Sequence, residues 1–296
     1  MSLLSAIVPV SSKLTDSRNL EAWISKIEQS EVQVVLVLDA PNQQLSKIQK
    51  QLKENFSDSR ATFVTGDFGN PGSARNEGMR IATGEWIVFW DSDDLPNVQQ
   101  TINLLTIHSK KDFELLIQDY SINTVPQNSI QHIKMVDGNS SELLANLSYN
   151  PGIWRLIFRR DSISNITFPK LLMAEDQLFL AEIEPWKRKI LYTGVENYQY
   201  FKGVAGQLTS NTQAISDLLI STNVLISKII NHDGDQVGIE FLSNMLFRQM
   251  TTSFIRGDLS LKIRITMKAL ILPTKIKRLV TSAGIKYLKL SKESFR

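Results

Sequence analysis

The chain has 296 residues, of which 42% are hydrophobic, enough to bury a full core as one large domain or as one domain with an appendage. It contains no cysteine, which excludes disulfide bonds, zinc-thiolate sites and thiol nucleophiles. The net charge is +3, but residues 256–296 carry eleven Lys/Arg against two acidic residues, so the remainder is net acidic. The two parts are expected to face different partners.

Short apolar runs alternate with helical patterns over the first part of the chain. We predict strands at residues 3–10, 32–38, 61–65 and 86–90, and helices around residues 20–27, 45–52 and 97–107. This alternation is typical of an α/β fold with a mainly parallel sheet and helices on both faces, whose ligands bind beyond the carboxyl ends of the strands. Asp39, Asp67 and Asp91 each fall at or just after such an end.

The second part of the chain changes from mixed to helical. Further strands are predicted at residues 113–120, 153–158, 190–192 and 198–201, and helices at residues 141–147, 178–183, 215–230, 237–255 and 276–288. We therefore predict a domain at residues 1–210 and a helical C-terminal region with a basic tail at residues 211–296. No run of about 18 apolar residues is present, so no transmembrane helix is predicted, and the N-terminal apolar run lacks the basic start of a signal peptide.

An acidic cluster follows the fourth predicted strand. Residues 70–94 read NPGSARNEGMRIATGEWIVFWDSDD, in which a helix start and an apolar strand lead to Asp91, Asp93 and Asp94. Several negative charges held close together are costly unless a hard cation neutralises them. The cluster therefore predicts a divalent cation that serves a phosphate group.

Other nucleotide and metal motifs do not fit the same segment. A calcium EF-hand loop that opens at Asp91 would need Gly and Glu where this chain has Pro96 and Ile102. The glycines at positions 69, 72 and 78 do not match the dinucleotide fingerprint, and no Gly-Lys-Ser/Thr follows them. Neither a Rossmann cofactor site nor a P-loop is supported.

Five separated motifs carry a resemblance to a known family. They are Ile7-Val8-Pro9-Val10; Leu38-Asp39; Gly69-Asn70-Pro71-Gly72 with Ala74-Arg75-Asn76 and Gly78; Ala82-Thr83-Gly84-Glu85-Trp86 leading into Asp91-Ser92-Asp93-Asp94; and Glu175-Asp176. With these motifs in order, residues 3–210 resemble a family 2 glycosyltransferase of the GT-A fold, a Rossmann-like, mainly parallel sheet flanked by helices, here followed by a C-terminal helical appendage. The resemblance implies a hexosyltransferase type of enzyme that moves a sugar, with inversion, from a nucleotide-sugar to a glycan or lipid-linked saccharide in surface polysaccharide synthesis.

The resemblance also implies roles on the donor side. Asp93, the second acid of the DXD motif, would bind Mn²⁺ or Mg²⁺, and Asp91 would contact the ribose or the metal. Asp39 would accept a hydrogen bond from the uracil of a UDP-linked donor, although Asp39-Ala40-Pro41-Asn42 departs from the usual Asp-Asp-Gly-Ser. The other nucleotide-sugar-binding candidates are Pro9, Ser11, Asn70, Arg75, Asn76, Ser92 and Lys202.

On the acceptor side the resemblance implies a carboxylate that removes the proton of the attacking hydroxyl. Asp176 is the candidate base, and Glu175 is the fallback or orients the acceptor. Asp94 would face the sugar or support the metal ligands, and Trp154 would form an apolar wall for the sugar. Glu175, Asp176 and Trp154 have plainer alternatives, because acids are favoured in the first turn of a helix and large aromatic side chains are usually buried.

The basic tail has two alternative interpretations. Its apolar positions Ile276, Leu279, Val280, Ala283 and Tyr287 share one helical face ringed by Lys and Arg, which suits an anionic membrane surface and a lipid-linked acceptor. The same pattern suits a solvated helix packed on the catalytic domain. The protein is thus expected in the cytoplasm or at the inner face of the cell membrane, and no recognised nucleic-acid module accompanies the charge.

Two other functions stay open from the sequence. One is a nucleotide-sugar or glycan-binding relative without catalysis; the other is a nucleotidyl- or phosphosugar-transferring enzyme that uses the same metal and nucleotide half.

Overall fold

The strands form one sheet in the first part of the chain. The structure, a computed structural model, describes residues 2–27, 31–56, 61–125, 127, 129–135, 140–204, 214, 216–232 and 235–293. Nine strands lie within these residues: β1 Leu4–Ser11, β2 Val32–Asp39, β3 Thr62–Gly66, β4 Trp86–Phe89, β5 Leu95–Pro96, β6 Leu115–Thr124, β7 Ser129–Ile133, β8 Leu156–Arg159 and β9 Ile190–Lys202. Their order in the sheet is β3-β2-β1-β4-β8-β6-β9-β5, and β7 pairs with β6.

Helices connect the strands and make up the C-terminal part. In the described residues they are α1 Arg18–Ile24, α2 Lys47–Phe56, α3 Pro71–Ile81, α4 Val98–Ile107, α5 Ser140–Tyr149, α6 Arg160–Ile163, α7 Glu175–Ile183, α8 Asp217–Ile230, α9 Gln236–Arg256, α10 Leu259–Ile271 and α11 Thr274–Glu293. The predicted α/β fold class with C-terminal helices is confirmed. Helix α10 was not predicted.

The parallel half of the sheet brings three strand ends together. Strands β3, β2, β1 and β4 are parallel neighbours, and β1 and β2 are apolar and buried on both faces over most of their length. In this register Ser11 is paired with Asp39, and Asp39 with Gly66. The carboxyl ends of these strands therefore form one edge, as the sequence predicts.

A glycine lets α3 lie close to that sheet. A Cβ at Gly78 would lie 2.4 Å from Cγ2 of Ile7 and 3.2 Å from Cγ2 of Val37. Gly78 of the predicted motif is thus required for packing of α3 against β1 and β2. Its role is to hold the start of α3 at the strand ends.

The second half of the sheet differs from the prediction in detail. Strand β8 is antiparallel to both β4 and β6, and the start of the predicted strand at residues 153–158 is a 3₁₀ turn, Ile153–Arg155. The two short strands predicted at residues 190–192 and 198–201 are one strand, β9. Register shifts in its pairing with β6 interrupt the alternation of side chains, which explains why the sequence pattern breaks there.

The chain divides into two compact units. The first comprises Met1–Asp137, Gly152–Lys170 and Arg188–Gln207 and contains all nine described strands. The second comprises Gly138–Pro151, Leu171–Lys187 and Leu208–Arg296, and its described elements are helical. The predicted boundary between residues 210 and 211 falls outside the described residues and stays a prediction.

Helix α9 forms the centre of the second unit. It packs against α5, α8, α10 and α11. The hydroxyl of Tyr149 in α5 lies 2.8 Å from Oδ1 of Asn244 in α9 and 2.6 Å from the carbonyl oxygen of Ala283 in α11. Of the helices in the described part of the chain, none has the length and apolar content needed to cross a membrane.

Candidate active site

The carboxylate loop, residues Asp91 to Asp94, follows β4 at the edge described above. The guanidinium of Arg75 donates a hydrogen bond from Nη2 to Oδ1 of Asp91 at 2.9 Å. Arg75 is buried, and its guanidinium carbon lies 5.5 Å from the ring centroid of Phe168. The start of α3 and the end of β4 are therefore joined by a charged hydrogen bond that fixes the direction of the Asp91 carboxylate.

Asp94 is fully buried and is bound by strand β9. The backbone N–H of Phe201 donates to Oδ1 and the hydroxyl of Tyr198 donates to Oδ2, both at 2.8 Å. The same hydroxyl accepts a hydrogen bond from the backbone N–H of Asp91 at 3.2 Å. Burial raises the pKa of Asp94 well above its usual range, with further increases from the charges of Asp93 and Asp91, while the two hydrogen bonds oppose the shift.

Asp93 is a partly exposed acid of the same loop. The amide of Asn19 donates to its backbone oxygen at 2.8 Å, which holds the peptide in place. In the described residues no three His, Cys, Asp or Glu side chains are grouped to hold a metal by themselves. Magnesium is usually bound by one or two carboxylates together with substrate phosphates, and Asp93 with Asp91 provides that number of carboxylates. The residues present thus fit a cation that is shared with a diphosphate.

Asp39 ends β2 beside Ser11 of β1. Its Oδ1 accepts hydrogen bonds from the backbone N–H groups of Phe68 at 2.8 Å and Gly69 at 3.1 Å. Gly69 has φ of +67°, a conformation that favours glycine. Among the residues that the structure describes, none donates a hydrogen bond to Oδ2. Asp39 therefore holds the loop after β3 with one oxygen, while Ser11 is exposed next to it and Pro9 is partly exposed.

The two asparagines of the predicted set have structural contacts. Asn70 caps α3, because its Oδ1 accepts from the backbone N–H of Ser73 at 2.8 Å. Asn76 binds both backbone groups of Phe168: its Nδ2 donates to the oxygen at 2.9 Å and its Oδ1 accepts from the N–H at 2.8 Å. Both side chains position the N-terminal half of α3, and with it Arg75.

Trp154 and Lys202 lie on the part of the first unit that includes β9. The indole of Trp154 stacks on the rings of Tyr198 and Tyr200, with centroids 4.7 and 5.5 Å apart, and meets the edge of Tyr120. Lys202 is exposed at the last residue of β9. Ser92 is largely buried within the carboxylate loop. Contacts of these residues with a donor or an acceptor stay predictions.

Glu175 and Asp176 begin α7 in the second unit. The preceding residue, Ala174, is buried and has φ of +69°, a left-handed conformation that is unfavourable for a residue with a Cβ. Glu175 is buried, whereas Asp176 is partly exposed and accepts a hydrogen bond from the N–H of Gln177 at 2.7 Å. Their roles as base and partner stay predictions.

Two residues of the site were missed in the sequence. Tyr198 was assigned only to a strand, and Asn19, directly before a predicted helix, was assigned no role, yet both hold the carboxylate loop. Each lies 74 or more residues from its partner in the chain, so no local spacing connects them. The alternation of Tyr198 and Tyr200 in one strand was the signal available for an aromatic cluster.

A family comparison decides what kind of protein has this site. The model of "Glycosyl transferase family 2" matches residues 5–165, more than half of the chain, including the strand ends and the carboxylate loop. The chain belongs to glycosyl transferase family 2. The resemblance stated from the motifs is confirmed.

Curated relatives of this family member are distant and longer. "Uncharacterized glycosyltransferase YibD" of Escherichia coli (strain K12) is 22% identical over 67% of this chain and 61% of the relative. "Poly(ribitol-phosphate) beta-N-acetylglucosaminyltransferase TarS" of Staphylococcus aureus (strain Mu50 / ATCC 700699) is 26% identical over 80% of this chain and 42% of the relative. The chain thus spans less than two thirds of the length of these relatives.

Solved structures show the same fold. S. aureus TarS 1-349 in complex with UDP-GlcNAc matches with a TM-score of 0.69 and 19% identity, over 96% of this chain and 79% of that one. The mannosyltransferase PcManGT from Pyrobaculum calidifontis in complex with GDP-Man and Mn²⁺ matches with a TM-score of 0.51 and 15% identity, over 97% and 87% of the two chains. At these identities the likeness concerns the fold.

Proposed function

We propose that this family 2 member is a glycosyltransferase that transfers a sugar from a UDP-linked donor, with a divalent cation, to a glycan or lipid-linked saccharide. The observation that carries the proposal is the placement of Asp39, Asp91 and Asp93 at one edge of adjacent parallel strands, in a chain whose matched segment contains all three. Nucleotide ligands of open α/β sheets bind at such an edge.

The donor half of the proposal rests on Asp39 and on solved structures with the same fold. Oδ1 of Asp39 holds the Phe68 and Gly69 amides, so Oδ2 is the oxygen that would accept from uracil N3–H. TarS, which shares the fold, has been solved with UDP and with UDP-GlcNAc. Ser11, adjacent to Asp39 in the register, and Pro9 would line the same base pocket.

The metal half rests on the different surroundings of the three aspartates. Asp94 has both oxygens engaged by Tyr198 and Phe201, so we assign it to support of the loop. Asp93 would hold Mn²⁺ or Mg²⁺, with Asp91 as the second carboxylate or as a ribose contact. When bound, the cation offsets the negative charge that builds on the diphosphate as the sugar leaves. PcManGT, of the same fold, has been solved with Mn²⁺.

The transfer half requires a base for the acceptor hydroxyl. We assign this role to Asp176, which is partly exposed, and an orienting role to the buried Glu175. Direct attack assisted by one carboxylate inverts the anomeric centre. TarS is named as a transferase onto poly(ribitol-phosphate), which supports a polymer as the acceptor; for this chain we propose a surface polysaccharide.

The test is a calorimetric titration of UDP into the full chain, with Mn²⁺ and with chelator, using GDP as the comparison nucleotide. We expect the protein to bind UDP when Mn²⁺ is present and to bind GDP more weakly. The Asp93→Ala variant should lose the metal-dependent part of the UDP affinity. Asp161→Ala is the matched control, because Asp161 is an exposed acid of the first unit. Equal UDP binding with and without metal would contradict the role of the cation. No binding of either nucleotide would mean that this protein does not recognise a nucleotide-linked donor.

A further inference from the structure

Helix α10 is apolar on two opposite faces. Leu261 and Ile265 on one face are buried in the second unit. On the other face Leu259, Ile263, Met267 and Leu270 are between 51% and 72% exposed. Their spacings of four, four and three residues place them in one stripe along the helix, which we call the α10 stripe.

Cations flank the α10 stripe on both sides. Lys262 and Arg264 are the chain neighbours of Ile263, so each lies about 100° to one side of it around the helix axis. Both are exposed. No acidic residue lies within α10; Asp258 precedes it and caps its first turn by accepting from the N–H of Leu261 at 2.8 Å. Long basic side chains beside an apolar stripe can extend their charges to a polar surface while the stripe is buried.

The end of α9 also has exposed apolar side chains. Phe254 and Ile255 at the end of α9 are 53% and 67% exposed. The face of α11 that the sequence offered as a membrane contact is different, because its residues Ile276 and Ala283 are buried within the second unit. The exposed apolar surface of this region thus includes α10, which the sequence did not predict as a helix.

We propose that the α10 stripe lies in the interface of an anionic membrane, with Lys262 and Arg264 at the level of the lipid headgroups. Four large apolar side chains with more than half of their surface in water form a patch of the kind that marks an interaction site. The basic flanks and the absence of acids in the helix favour an anionic lipid surface as the partner. With 13 residues, α10 is too short to span a bilayer, so it would lie along the surface. The inference goes beyond the proposed function and needs neither donor nor acceptor.

The experiment is co-sedimentation of the full chain with vesicles of phosphatidylcholine and phosphatidylglycerol, and with vesicles of phosphatidylcholine alone. We expect binding to the anionic vesicles. The double variant Ile263→Ser/Met267→Ser should lose at least about tenfold in affinity, because two apolar side chains no longer enter the interface. Ile107→Ser is the control, since Ile107 on α4 of the first unit is an apolar side chain that is even more exposed, at 72%, than Ile263 and Met267. It should bind as the wild type does.

A second pair of variants separates charge from apolar contact. Lys262→Gln/Arg264→Gln should lower binding to anionic vesicles by about fivefold per cation, with no change on phosphatidylcholine alone. Circular dichroism melts of every variant exclude loss of folding as the cause. The proposal is wrong if the wild type does not bind anionic vesicles, or if Ile107→Ser loses as much as the double variant. Dimers in light scattering that Ile263→Ser/Met267→Ser dissociates, without vesicle binding, would assign the stripe to a second copy of the chain.

Discussion

The carboxylate loop after β4 and the start of α7 both present adjacent acids, but the two pairs lie in different backbone settings. Asp91 and Asp94 in the loop are bound by side chains and an N–H from α3 and β9, with Arg75 as a charged partner. Asp176 accepts from the N–H of the next residue, after the left-handed Ala174. The carboxylate loop is thus fixed by partners that are distant in the chain, as a binding site for several charges requires, whereas the acids of α7 directly follow a left-handed residue at the start of a helix.

The largest expected effect is a loss of catalytic rate, which would distinguish the acids of α7 from those of the carboxylate loop. Asp176→Asn should lower kcat by about 10²–10⁴-fold, because an amide cannot take the proton of the acceptor hydroxyl. The Kd for UDP with Mn²⁺ should stay within experimental error of the wild type. Transfer rates from a UDP-sugar and calorimetry of UDP measure the two quantities on the same preparations.

Glu182→Gln is the control for this prediction, since Glu182 is an exposed acid of the same helix and pairs with Lys228. It should leave both quantities unchanged. A loss of UDP binding in Asp176→Asn equal to that in Asp93→Ala would contradict the separation of roles.

The second effect concerns recognition of the base at β2. Asp39→Ala should weaken UDP binding by about 10- to 100-fold, since a hydrogen bond to a charged acceptor is lost. Asp39→Asn is sharper: its amide oxygen can keep the Phe68 and Gly69 bonds, and its NH₂ would face the base. Because cytosine N3 accepts where uracil N3 donates, Asp39→Asn should shift preference from UDP towards CDP. Competition binding with both nucleotides tests this, and an equal loss for UDP and CDP would place the defect in the loop.

The sequence predicted the parallel half of the sheet because β1, β2 and β4 are mostly apolar runs, and β2 and β4 lead directly to acids. Strands β1, β2 and β4 begin or end within one residue of the prediction. The motif residues Asp39 and Asp91 could be placed from local sequence because each lies at or just after a strand end, and Arg75 because it lies in the N-terminal half of α3.

Other features depend on pairings that no local pattern contains. Tyr198 reaches Asp94 only because β9 runs beside β5 in the sheet. Helix α10 was missed for a different reason: LSLKIRITM alternates apolar and polar residues, a period of two that is typical of a strand. It forms a helix whose apolar residues occupy two faces, with Asp258 as the N-cap.

The third effect tests how firmly the loop is held. Tyr198→Phe removes the hydroxyl that donates to the buried Asp94 and accepts from the Asp91 N–H. The ring can keep its stack on Trp154, so the loss is confined to the hydrogen bonds. We expect the free energy of unfolding to fall by about 1–3 kcal/mol. Urea denaturation measures it.

A double-mutant cycle with Asp94→Asn completes that test, because the effect of Tyr198→Phe should shrink once the carboxyl group that accepts from the hydroxyl is replaced. An unchanged effect would mean that the hydroxyl stabilises the loop through Asp91 alone.

The smallest effect is expected for Tyr149→Phe in the second unit, where the partners of the tyrosine hydroxyl are uncharged. Tyr149 is also buried, but its hydroxyl faces an amide oxygen, Asn244 Oδ1, and a helical carbonyl, Ala283 O. No charge is left behind in Tyr149→Phe, and carbonyls within helices already accept backbone hydrogen bonds, so we expect a loss of about 1 kcal/mol in the same urea experiment. If Tyr149→Phe costs as much as Tyr198→Phe, charge does not explain how the carboxylate loop is held, and burial of a hydroxyl would account for both.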